Sequence, residues 1–246
     1  MLILKNLTKT FGEFTAVDDL NLQINRGDLY GFLGPNGAGK TTTIKMIAGL
    51  YVPSSGSIHI DGIDNQVDSL RTKESFAYIP DNPFLYDKLT GKEFLYFCGG
   101  LYNIPKDIVK AKIEELIEML NIGDWLNKRI EEYSRGMQQR ITIASAFLHD
   151  PKLIVVDEPM VGLDPQSAYI VKQIFKKKAG EGLAIFMSTH SLDVVEEICT
   201  KVGIINKGKL IFNDTIDVLQ EMKIEKNHKL EDLFIELTAG YSILDT

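Results

Sequence analysis

The stretch Gly34-Pro35-Asn36-Gly37-Ala38-Gly39-Lys40-Thr41 constrains the fold more than any other, because it demands a strand before it and a helix after it. Its pattern is GxxxxGK followed by Ser or Thr. Glycines let backbone N–H groups curl around a phosphate, and the N-terminus of the following helix adds positive potential there. Lys40 reaches the outer phosphates, and the Thr41 hydroxyl can ligate Mg²⁺. The flanks agree. Leu29 to Leu33 is an apolar β-type run, and Ile44, Ile47 and Ala48 recur at helical spacing until Gly49 and Pro53 end the helix. A nucleotide site on a strand–loop–helix unit is expected.

Further strands are expected at Leu2 to Leu4, Leu20 to Ile24, Ser57 to Ile60 and Phe76 to Ile79. The middle of the chain changes character. Val109, Ile113, Leu116, Ile117 and Leu120 recur at a period of 3.6, and a second helix is expected from about Arg135 to Leu148. Strand patterns return at Leu153 to Val156, Leu183 to Met187, Val202 to Ile205 and Lys209 to Phe212, with helices near 166–178 and 191–199 between the first three. This alternation predicts an α/β fold with a parallel sheet. Residues 83–150 form a helical insert, 1–82 with 151–214 the β-rich core, and 215–246 a tail of two short helices.

Leu153-Ile154-Val155-Val156-Asp157-Glu158 is a continuous aliphatic run ending in two carboxylates. Such a run suits a central parallel strand, and ligands bind beyond the carboxyl ends of those strands. Side-chain alternation gives the acids separate jobs, with Asp157 holding Mg²⁺ through water and Glu158 polarising an attacking water. Alone, the pair reads equally well as two acids capping a strand; beside a phosphate loop the chemical reading prevails. Phe84, Tyr86, Phe94, Tyr96, Phe97 and Tyr102 crowd one segment. Most are expected in the core of the insert, with an exposed remainder around Phe84 to Lys88.

Composition removes other classes. Lys and Arg total 27 against 34 Asp and Glu, a net charge of −7, which argues against binding nucleic acid over a broad face. The longest charge-free stretch, Met46 to Ile60, is broken by Pro53 and Gly56 and cannot span a membrane. The N-terminus lacks a secretory pattern, and Cys98 and Cys199 form no CxxC, so a cytoplasmic chain is expected.

Tyr133-Ser134-Arg135-Gly136-Met137-Gln138-Gln139-Arg140, shortly before the Asp157-Glu158 strand, resembles the signature segment of ATP-binding cassette (ABC) ATPases. Phe11 resembles the aromatic that stacks on adenine, Gly162-Leu163-Asp164-Pro165 the D-loop, and Ser188-Thr189-His190 the switch-histidine segment. The resemblance implies a P-loop NTPase, RecA-like core with an antiparallel β subdomain and a helical insert. It also implies ATP and Mg²⁺ as cofactors. Glu158 and His190 are then catalytic, and Thr41, Asp81 and Asp157 serve the metal. Phe11, Val17, Asn36, Gly37, Ala38, Gly39, Lys40, Thr41, Thr42, Ser134, Gly136 and Asp164 contact nucleotide. His59, His149 and His228 gain no such role.

Family members bind ATP between one subunit's phosphate loop and another's signature segment. A second nucleotide-binding chain, a copy or a paralogue, is therefore implied, with separate transmembrane permease subunits and a peripheral place on the inner face of the membrane. Ser134 would cap a helix whose N-terminus faces a phosphate across that interface, with Met137, Ile141, Ala144 and Leu148 as its buried stripe. Three positions depart from the family pattern: Asp81 replaces the usual Gln, Arg135 a Gly, and Met160 a small polar residue. The Pro80-Asp81-Asn82-Pro83 and Leu89-Thr90-Gly91-Lys92-Glu93 segments and the tail Leu230 to Leu237 resemble the branch that drives exporters. The alternative reading is a non-transport ABC ATPase acting on a ribosome or DNA complex.

Overall fold

The computed structural model of the chain describes residues 1–225 and 229–239. His228 and the remaining parts of the tail expected over 215–246 lie outside the described residues. Strands β1 (Leu2–Phe11) and β2 (Phe14–Ile24) form an antiparallel hairpin much longer than the two short aliphatic runs that announce it. The alternation is hidden by register shifts between Leu4 and Leu7 and beyond. Asn6 and Asp19 adopt left-handed backbone there, with φ of 48° and 51°, and the Asn6 amide donates to the Asp19 carboxylate at 2.8 Å. Such bulges leave the extra residues unpaired and disrupt the ladder only locally, so pairing resumes beyond them. With β4 (Ser55–Ile60) and β5 (Ile63–Asp64) the hairpin makes a sheet in the order β2-β1-β4-β5.

The larger sheet supports the chemistry. Its strands are β3 (Leu29–Leu33), β6 (Phe76–Ile79), β7 (Leu153–Asp157), β8 (Ala184–Thr189), β9 (Lys201–Asn206) and β10 (Lys209–Thr215). They lie in the order β10-β9-β3-β8-β7-β6, all parallel except β10. Every residue of β3, β7 and β8 is buried. Alternate side chains feed two apolar layers: Leu29, Leu33, Ile154 and Val156 on one face, Tyr30, Phe32, Val155 and Phe186 on the other. This is the period of two of strands covered on both sides.

Helix α1 (Lys40–Ile47) follows β3 directly, and α2 (Ser69–Ser75), unexpected from its polar sequence, is capped by Asp68. Between β6 and β7 lie α3 (Gly91–Leu101), α4 (Lys106–Leu120) and α5 (Arg135–Phe147). Thr90 and Glu93 form a reciprocal capping box at the start of α3. Helices α6 (Pro165–Gly180), α7 (Leu192–Ile198), α8 (Ile216–Glu225) and α9 (Leu230–Ala239) complete the described chain. Among the described residues no helix is long and apolar enough to cross a membrane.

The expectation for the aromatic segment needs correcting. Only Phe94 of the six is buried and Tyr96 is partly so, while Phe84, Tyr86, Phe97 and Tyr102 are exposed. The core of the insert is filled instead by the aliphatic Leu95, Val109, Ile113, Leu116 and Leu120, with aromatic rings supplied from later in the chain by Trp125, Tyr133 and Phe147. Phe84, Tyr86 and Phe97 meet edge to face at 5.8 and 5.1 Å, an aromatic ladder on the surface.

Candidate active site

The phosphate loop is shaped by the backbone around it. Gly37 and Gly39 have φ of 78° and 112°, which favours residues without a Cβ. At Gly39 the requirement is doubled, because a Cβ would lie 2.5 Å from the Ala16 carbonyl oxygen. The Gly208 N–H donates to the Ala38 carbonyl at 2.9 Å, so the β9–β10 turn braces the loop. Lys40 is buried within the curl and donates to the Gly34 and Pro35 carbonyls at 2.7 and 3.2 Å. Burial pulls its pKa down, and the Glu158 and Asp157 carboxylates oppose that shift. Asn36, Gly37, Ala38, Gly39, Lys40, Thr41 and Thr42 line a cleft of about 310 Å³ together with Phe14, Ala16 and Glu158.

The strand order brings the acids to the same edge, since β8 lies between β3 and β7. Asp157 ends β7 buried and accepts a hydrogen bond from the Ser188 hydroxyl. The Glu158 N–H donates to that same Ser188 oxygen at 3.1 Å and to the Ser188 carbonyl at 3.2 Å. These bonds hold Glu158 in a left-handed conformation, φ 47°, that costs a non-glycine residue roughly 1–2 kcal/mol. The turn aims its carboxylate back at the loop: Oε1 stands 3.9 Å from Lys40 Nζ, while Oε2 accepts from His190 Nδ1 at 3.0 Å. Ser188 therefore ties both acids together. Its place directly before the Thr189-His190 pair was the available signal, and the sequence reading gave it no role of its own.

Ser134 caps α5, its hydroxyl accepting from the Met137 N–H at 3.3 Å. Ile141, Ala144 and Leu148 are buried below, with Met137 partly buried beside them. Asp164 caps α6 in the same way, accepting from the Ser167 N–H and hydroxyl at 2.9 and 2.7 Å, and these bonds draw its pKa down. Gly136 rests on that cap; a Cβ would stand 2.4 Å from the Ser167 hydroxyl oxygen and 2.9 Å from Asp164 Oδ2. Ser134, Gly136 and Asp164 thus gather in one place, apart from the residues that line the phosphate-loop cleft.

Three expectations change on this geometry. Val17 is fully buried with its Cγ2 beneath the Gly39 position, so it supports the loop from the core and offers no surface to a nucleotide. Phe11 does not line the cleft; its ring packs edge-on against Tyr51 at 5.6 Å, beneath the Lys9 ammonium at 5.0 Å. Phe14, which pairs with Phe11 across the hairpin, lines the cleft instead. Asp81 accepts from Arg135 at 3.4 Å and from the Asn82 amide at 3.1 Å. It still belongs to the same electrostatic neighbourhood as Asp157. The Tyr78 hydroxyl is pushed up to about 12 by burial, then by Asp157, then by Asp81.

A parallel sheet with a phosphate loop, a buried Asp and a Glu–His pair on one edge defines a P-loop nucleotide-hydrolysing ATPase. The sequence matches the ABC transporter family over residues 17–161, and the chain belongs to that family as an ATP-binding, ATP-hydrolysing subunit. It is 36% identical to the ABC transporter ATP-binding protein NatA of Bacillus subtilis, over 92% of each chain. It is 35% identical to the linearmycin resistance ATP-binding protein LnrL of the same organism, over 86% of this chain and 68% of that one. An uncharacterized ABC transporter ATP-binding protein of Nostoc sp. is 38% identical over 81% of this chain, which spans 59% of its length. Among solved structures, an ATP-binding subunit of an ABC transporter superposes with a TM-score of 0.88 at 30% identity, over 96% of this chain and 99% of that one. The ATP-binding cassette MJ0796, in a dimeric post-hydrolysis state bound to ADP and Pi, gives 0.79 at 25% identity, over 88% and 99%.

Proposed function

We propose that the ATP phosphates sit in the loop from Asn36 to Thr42, that Glu158 polarises the attacking water, and that His190 steadies it. The observation that carries this reading is the Glu158 carboxylate, held between the buried Lys40 ammonium at 3.9 Å and His190 at 3.0 Å, on the rim of the loop cleft. A carboxylate so oriented is placed to take a proton from a water attacking the terminal phosphate. Phe11 and Phe14 are the two candidates for the adenine platform, since stacking requires only an aromatic face.

The donor set suits Mg²⁺. The Thr41 hydroxyl and the Asp157 carboxylate are hard oxygen donors, and among the described residues no cluster of three or more His, Cys, Asp or Glu can hold an ion alone. That matches a cation that keeps waters and relies on phosphate oxygens for much of its shell. Thr41 and Asp157 would hold it, with Asp81 in the outer surroundings, and the ion when bound neutralises charge on the β- and γ-phosphates.

The remaining parts of the reading concern partners. Residues 1–82 and 151–214 act as the nucleotide core, 83–150 as the helical unit and 215–246 as a tail. A second nucleotide-binding chain, a copy or a paralogue, presents its Ser134, Gly136 and Asp164 to the ATP held by this one. The exposed ladder of Phe84, Tyr86 and Phe97 receives a cytoplasmic helix of a separate permease, which places the subunit peripherally on the inner face of the membrane. The likeness to a linearmycin resistance protein favours export. Glu158→Gln tests the core of this reading: ATP binding is retained while turnover falls by about 10² to 10⁴. Steady-state ATPase assays beside equilibrium binding give the answer, and near-normal turnover overturns the assignment.

A further inference from the structure

Helix α5 opens on a residue whose charge opposes its position. Arg135 is its first residue, and its first turn holds no acidic side chain. Helix N-termini carry partial positive charge, so a cation there is disfavoured unless its head is drawn elsewhere. Two acceptors draw it. Arg135 Nε donates to the Val161 carbonyl at 2.9 Å, and Nη2 donates to Asp81 Oδ1 at 3.4 Å. Gly162 leaves the room for this: a Cβ there would stand 2.7 Å from Arg135 Nε. One guanidinium thereby joins the turn after β6, the loop between β7 and α6, and the start of α5.

We propose that Arg135 is a positioning residue that sets the direction of the α5 N-terminus, and with it Ser134 and Gly136, relative to the nucleotide core. This rests on the reading of Ser134 and Gly136 as the segment presented to a partner's ATP. The Asp81–Arg135 pair is half exposed, with side chains 39% and 46% accessible, so it adds little to overall stability. Its effect is directional. A planar guanidinium bound at two separate edges fixes an angle that a single contact leaves free. A shift of the β6 turn is carried to α5 through this side chain, because the guanidinium that Asp81 binds belongs to the first residue of α5.

The test is hydrogen–deuterium exchange of the full chain without nucleotide, run beside ATPase kinetics. Arg135→Gln and Asp81→Asn are each expected to raise exchange in the first turns of α5 about 2- to 5-fold, the scale of a half-exposed ion pair. Both should lower kcat by a similar factor. The double variant should be no worse than either single one, and about 0.5 M salt should bring the unaltered chain toward the variants. Asp81→Lys combined with Arg135→Glu should restore only part of the protection that Arg135→Glu alone loses, because the contact with the Val161 carbonyl is not rebuilt. Unchanged exchange in α5, or two single effects that multiply, overturns the proposal. Raised exchange with unchanged kcat supports the anchor and overturns instead the role given to Ser134 and Gly136.

Discussion

The loop between β3 and α1 and the N-terminus of α5 both present N–H groups suited to an anion, yet they are held differently. The loop is fixed by backbone. A Cβ at Gly34 would lie 2.4 Å from the Ile205 carbonyl oxygen and one at Gly39 2.5 Å from that of Ala16. The start of α5 is held by side chains: the Ser134 cap, the Arg135 guanidinium, and the packing of Gly136 on the Asp164–Ser167 cap. Backbone packed against buried strands has one arrangement, whereas side-chain contacts at a surface can re-form after a small shift. On the proposed reading, one half-site is preorganised within its own chain and the other is adjustable, as suits a segment presented to a second nucleotide-binding chain.

The largest expected effect falls on the fixed half. Lys40→Ala removes the buried ammonium and leaves the Gly34 and Pro35 carbonyls without their donor, so nucleotide affinity measured by calorimetry should fall at least about 100-fold. Unchanged affinity would break the assignment of the loop. A smaller contrast lies between two glycines. Gly39→Ala meets a backbone oxygen with φ at 112° and should cost about 3 kcal/mol, whereas Gly136→Ala meets the end of the Ser167 side chain and should cost about 1 kcal/mol. Urea unfolding of the two variants measures the difference. Equal costs would show that α5 is held as rigidly as the loop.

Legibility in the sequence follows the same division. The phosphate loop, Asp157 and Glu158 are contiguous with the strands that place them, so local pattern was enough to read them. The long β1–β2 hairpin was not legible, because left-handed Asn6 and Asp19 interrupt the alternation. Val17 looked like a contact and is a support, since which face of a bulged strand turns inward depends on register. Asp81 and Arg135 stood as two unrelated departures although they are one ion pair, joined across 54 residues of chain. Exposure around Phe84 was expected, but that of Phe97 and Tyr102 was hidden, because it depends on aliphatic residues of α4 filling the space first.

The helical insert and the nucleotide core around these two sites each carry one cysteine, which allows their opening to be compared without adding a probe. Cys98 lies half buried in α3, its thiol pushed up to about 11 by burial, partly offset by a hydrogen bond with Ser145. Cys199 is buried after α7 and pushed up to about 12, and its sulfur lies where a Cβ on Gly31 of β3 would be 2.8 Å away. Only the thiolate reacts, and each unit of pKa above ambient pH lowers its fraction tenfold. At pH 8 a thiol reagent should therefore modify Cys98 faster than Cys199, whose thiol is pushed up further and is buried more deeply. Urea below the unfolding transition should speed Cys98 first, because surface-held helices open at lower free energy than buried parallel strands. Modification of Cys199 should instead follow global unfolding, since reaching its sulfur requires α7 to leave β3. Equal rates for the two thiols in the native state would show that the sheet opens as readily as the helices beside it.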